Sequence, residues 1–221
     1  MSRPDPGRRT WLQAAFSLGS LGSLGLLGAT STVGALALSA CGKTSADGKP
    51  TVSFNAVDIT GADYARDFAL KDFDGRPRSL AEFKGKVVFV FFGFTQCPDV
   101  CPTTMAELAE VRRRLGADGD RVQGLFVSVD PERDTPAVLK GYLQGMDPSF
   151  IGLTGAVKDI EATAREFKVF YQKVPTTGGN YTMDHTAGAY VFDPAGHVRL
   201  FVRYGLGADK LTADLKQLLS T

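Results

Sequence analysis

KVVFVFFGFTQCPDVCP, residues 86–102, runs an uninterrupted apolar stretch into a pair of cysteines. Lys86 to Phe92, bounded by Gly85 and Gly93, has the continuous apolarity of a strand buried on both faces, and such a strand belongs at the centre of a sheet. Pro102 has no N–H to donate and is best tolerated in the first turn of a helix. This puts Cys101 close to the N-cap of a helix that continues over Thr103–Leu115, with Met105, Leu108, Ala109 and Leu115 on one side. The two cysteines therefore sit at the C-terminal end of a central strand, where open α/β sheets place their ligand crevices.

Outward from this stretch the pattern alternates. Asp67 to Arg78 reads as a hairpin around Asp74-Gly75, and Leu80–Phe83 as a helical turn. After the first helix come a strand over Val122–Val129, a helix opened by Thr135 and Pro136 and running to Gln144, and a short strand near Phe150–Leu153. A helix from Val157 to Phe170 and an open loop over Thr176–Asn180 follow. Strands over Ala187–Phe192 and His197–Arg203, joined by Asp193-Pro194-Ala195-Gly196, precede a last helix over Ala208–Leu219. The order βαβα then ββα predicts an α/β, thioredoxin-like fold, a central mixed sheet flanked by helices, with an extra N-terminal hairpin.

Three segments divide the chain. Residues 1–40 hold Arg8 and Arg9 ahead of a Gly/Ser-diluted apolar run that ends Leu38-Ser39-Ala40-Cys41. This resembles a twin-arginine export signal closed by a lipobox, after whose cleavage Cys41 is the lipidated N-terminus. The run is also long enough to span a membrane, but its Gly, Ser and Thr content and abrupt end favour the lipoprotein. Residues 41–62, short of large apolar clusters, read as a tether, and 63–221 as the folded domain. The net charge of the chain is +1, and residues 1–40 carry +2 of it, leaving −1 on the remainder. So neutral a body gives no electrostatic case for nucleic-acid binding.

Three cysteines less the one assigned to lipid leave a pair. Outside the cytoplasm a pair four positions apart is a disulfide, a metal site, or each at different times. A helix start favours thiolate over thiol, which both roles need. Three intervening residues bring the sulfurs to one side of a turn, a comfortable chelate, and soft thiolates select soft metals, copper(I) foremost. Of the two histidines, His197 follows a turn signature and reads as an exposed hairpin residue. His185 enters an apolar strand that, in a thioredoxin order, faces the cysteine loop. The strand between them holds the two histidines roughly 20 Å or more apart, which argues against a closed Cys₂His₂ zinc site. Neither cysteine has the Thr-x-x-Cys setting of a peroxiredoxin.

FGFTQCPDVCP, SVDPERDTP and YTMDHTAGAYVFDPAGHV, in that order, resemble the Sco/SenC copper proteins. The resemblance covers most of the chain after about Asp67. It implies copper held by Cys97, Cys101 and His185, and a role in assembling the dinuclear copper centre in subunit II of cytochrome c oxidase or of another copper enzyme. The same pair also permits a thiol-disulfide oxidoreductase that reduces the target's cysteines before metallation. Asp130, Pro131, Asp134 and Thr135 fall in the second motif and read by themselves as a turn and a helix cap. Asp99 and Asp184 flank the ligands and are placed to tune them, although capping explains each as well, and Met183 reads as core. Gln96 stands where the family often has histidine.

Overall fold

The buried strand and the elements around it appear in a computed structural model that describes residues 53–220. The signal, the lipid site Cys41 and the first part of the tether lie outside the described residues. In chain order the elements are β1 (Val57–Asp58), β2 (Leu70–Asp72), β3 (Pro77–Arg78), β4 (Val87–Gly93), α1 (Val100–Leu115), β5 (Val122–Ser128), α2 (Pro136–Gln144), β6 (Ile151–Thr154), α3 (Val157–Glu166), β7 (Tyr171–Pro175), β8 (Tyr181–His185), β9 (Gly188–Phe192), β10 (Val198–Arg203) and α4 (Ala208–Leu219).

Every residue of β4 is buried, as its apolar run requires, and it lies inside an eight-stranded sheet of order β1-β10-β9-β4-β5-β6-β2-β3. β4, β5 and β6 run parallel through helical crossovers, while β9 pairs with β4 antiparallel. This is the mixed sheet of a thioredoxin-like fold. The N-terminal hairpin β2–β3 extends it beyond β6, turning through Gly75 at φ 81°, a left-handed conformation that glycine adopts without strain.

Two expectations need correction, and one hairpin is additional to them. Helix α1 begins at Val100 rather than Thr103, because a proline in the first turn forfeits no intrahelical bond; Cys101 is thus inside the helix. Helix α3 stops at Glu166 rather than Phe170: Lys168 has φ 52°, and the chain turns there into β7. Thr176–Asn180 then joins β7 to β8 as an antiparallel hairpin, a two-stranded sheet apart from the main one.

The tether reading fails from residue 53 onward. Asn55 and Ala56 donate their backbone N–H groups to the carboxylate of Asp214 at 2.9 and 2.8 Å, and the Asn55 amide adds a bond of 2.8 Å. β1 then pairs with β10. Asp214 lies on the buried face of α4, fully buried, where three N–H donors take the place of water. Asp214→Ala should lower unfolding stability by about 2 kcal/mol, read from urea denaturation, and speed amide exchange at residues 55–58.

Candidate metal centre

Gly93 closes β4 because nothing larger fits. A Cβ there would lie 2.9 Å from Cys101 Sγ and 2.8 and 2.9 Å from the Phe91 and Phe126 rings. Beyond it the chain passes through buried Phe94 into a loop carrying Cys97, which is half-buried, and then into α1, whose first turn carries fully buried Cys101. The sulfurs do not share one helical turn as expected; Cys97 stands ahead of the helix and its Sγ accepts the Cys101 N–H at 3.4 Å. Both residues are free thiols.

His185 ends β8 and brings Nε2 to 3.5 Å from Cys101 Sγ. The edges of Phe91 and Phe94 meet its ring with centroids 5.9 Å away in each case, forming an apolar wall. Nδ1 lies 3.1 Å from the carbonyl oxygen of Thr186, which only accepts, so Nδ1 carries the hydrogen and the neutral ring's Nε2 lone pair faces the thiols. Burial lowers the His185 pKa, favouring this neutral form, while the Thr186 carbonyl and Asp184 act the other way. One ligand atom from each of Cys97, Cys101 and His185 lies within 4.8 Å of the others. Two soft sulfurs and an imidazole, walled on one side and open at Cys97, suit a soft or borderline metal with a coordination position to spare.

The helix start does not make Cys101 acidic. Burial pushes its thiol up, outweighing the Phe94 backbone N–H that lowers it, so a metal entering the site must displace that proton. Asp99 serves as the N-cap residue and accepts from Tyr204 at 3.2 Å, and Asp184 is exposed; neither bonds to a candidate ligand. Met183 is buried in the core, and His197 is exposed beside Asp193.

The second motif does more than turn and cap. Asp134, fully buried, accepts from the Thr95 N–H at 3.1 Å and from the Thr95 and Ser128 hydroxyls, each at 2.6 Å, tying the cysteine loop to the end of β5. Arg133 pairs with buried Asp130 and reaches both Gln96 and Tyr181. Arg133 and Tyr181 fall within the second and third motifs, but their role at this site is not legible there, since their contacts join segments 37 and 48 residues apart.

The fold and site together define a thioredoxin-like domain with a Cys–Cys–His donor set at the end of its central strand. The chain belongs to the SCO1/SenC family, whose model matches residues 57–220. It is 37% identical over 154 residues to the mitochondrial SCO2 homolog of Bos taurus, a match that covers 68% of this chain and 58% of that one. The copper-bound ScoI of Bradyrhizobium japonicum is 43% identical, with a TM-score of 0.64 over 69% of this chain and 97% of its own. BsSco, a member of the Sco family of cytochrome c oxidase assembly proteins in which a disulfide switch is identified, is 26% identical, with a TM-score of 0.57 over 74% of this chain and 98% of its own. The chain spans between 54% and 64% of the length of the first curated relatives it matches.

Proposed function

We propose that this protein is a copper chaperone that holds the metal with the thiolates of Cys97 and Cys101 and the imidazole of His185 and passes it by ligand exchange to the dinuclear centre of cytochrome c oxidase subunit II. The convergence of the three donor atoms within 4.8 Å carries the reading. Copper in the related ScoI and the oxidase-assembly role of BsSco's family support it. The half-buried Cys97 sulfur is the outward thiolate, accessible to an incoming thiolate of the acceptor, while fully buried Cys101 stays behind. Uptake releases the Cys101 proton, so binding strengthens as pH rises.

In this reading residues 1–40 direct export and lipid on Cys41 tethers the domain to the extracytoplasmic face of a membrane. Among the described residues no helix is long and apolar enough to cross one.

The difference in exposure between the two sulfurs also favours a second reading, a thiol-disulfide oxidoreductase in which Cys97 attacks and Cys101 resolves. His185→Ala separates the two. For a copper carrier it should abolish the thiolate-to-copper(II) charge-transfer band and weaken copper(II) by more than the roughly 10–100-fold that even outer-sphere changes cost, while two thiolates still hold copper(I). Full restoration of oxidase assembly by His185→Ala would reject the carrier in favour of the reductase.

A further inference from the structure

We propose that Arg133 is a positioning residue for His185, clasping the β7–β8 hairpin to the cysteine loop; the proposal rests on the copper-carrier reading and extends it. The hairpin is a separate two-stranded sheet, with no ladder to the eight-stranded one; its His185 end is joined to β9 through Thr186 and Ala187, so at its Tyr181 end side chains fix where it lies. Tyr181, Met183 and His185 alternate onto one face of β8. Met183 is buried, His185 reaches Cys101, and Tyr181 lies under Arg133.

The guanidinium carbon of Arg133 is 3.7 Å from the centre of the Tyr181 ring. Its Nη1 donates to the Tyr181 carbonyl at 2.7 Å and to Gln96 Oε1 at 3.2 Å, and its Nε pairs with the Asp130 carboxylate. The other oxygen of Asp130 accepts from the Tyr181 hydroxyl at 2.8 Å. One cation therefore joins the residue before Cys97, the turn after β5 and the far end of the strand that carries His185. Its planar fork and stacking face make these contacts together, which an ammonium group cannot do. Lys173 and Glu132 bridge the hairpin to the same turn at 2.6 Å, but both are exposed, and such a pair contributes about 0–1 kcal/mol. Met183 and the Tyr181 hydroxyl hold the hairpin to the core and to Asp130, and Arg133 is the group that ties its Tyr181 end to the cysteine loop as well.

A role confined to neutralising buried Asp130 would make Arg133 a contributor to stability alone. Arg133→Lys keeps a cation beside Asp130 and loses the fork, so it discriminates. In the metal-free protein, hydrogen exchange at residues 171–185 should rise about tenfold or more while β4 and β5 stay protected. Copper(II) affinity should fall by about 10–100-fold, with the copper(II) EPR signal altered, while copper(I) affinity is kept. Unchanged hairpin exchange, or a rise spread evenly over all elements, overturns the proposal, as does equal loss of copper(I) and copper(II). If Arg133→Lys does not fold, Tyr181→Leu removes the stacked ring and is held to the same outcomes. Because exchange is read without metal, it decides the clasp even if the cysteine variants reject the copper-carrier reading.

Discussion

Cys97→Ala and Cys101→Ala should each abolish stoichiometric copper binding, measured as metal retained per protein after gel filtration. Either change leaves one thiolate and one imidazole. That set lacks the paired soft donors that select copper(I), and for copper(II) it lacks the third ligand. The two variants should differ in what else they disturb. Cys97 is half-buried in a loop, so its loss should leave the melting temperature nearly unchanged. Cys101 is fully buried between Gly93 and His185, and losing its sulfur should cost about 1 kcal/mol of packing on top of the ligand. Cys101→Ser is the control for volume: it nearly restores the size but offers a hard oxygen and buries a hydroxyl, so stability should return only in part and copper(I) should not return. Full stoichiometric binding by either alanine variant would reject the copper-carrier reading.

How far the sequence reveals this site depends on whether each contact is local. The strand β4 and the presence of α1 after the cysteines are legible because a continuous apolar run and a proline in a helix's first turn act on their own neighbours, although the helix starts at Val100 rather than Thr103. The hairpin β7–β8 is not. Its first strand, Tyr171–Pro175, buries no residue, so no period-2 signal marks it, and its position depends on Arg133 from a distant turn. The docked segment after residue 53 is hidden for a related reason: a buried aspartate on α4 breaks the apolar periodicity, and its donors lie more than 150 residues upstream. The thiol chemistry of Cys101 shows the same limit, since the favourable helix start is written in the sequence while the burial that outweighs it is a property of the packed core. His185 could be placed beside the thiols only through fold order and resemblance, and the structure brings its Nε2 to Cys101 Sγ.

Asp134→Ala should be the most damaging change that touches no candidate ligand. Its carboxylate gathers the Thr95 N–H and the Thr95 and Ser128 hydroxyls in a buried position. Alanine leaves these donors without their acceptor, at a cost of roughly 3 kcal/mol, a large part of the 5–15 kcal/mol that holds a typical domain together. For a domain of this size that corresponds to a melting temperature lower by about 6–12 °C. Thr95 is two residues before Cys97, so the loop should loosen locally as well, and copper affinity should drop even at temperatures where the variant is fully folded. Asp134→Asn keeps the shape and an acceptor oxygen and should recover much of the stability. It also exposes a pH dependence. Burial holds the Asp134 carboxyl above the ordinary carboxylate range, outweighing the hydroxyl and backbone donors that lower it. The part of its contribution that is linked to protonation is therefore fully present below the unfolded-state value and is lost as pH rises through the raised folded value, while the bonds from Thr95 and Ser128 remain. The wild type should gain on Asp134→Asn as the solution is made more acid, and a difference between the two that is flat with pH would show that the buried carboxyl does not titrate above its unfolded value.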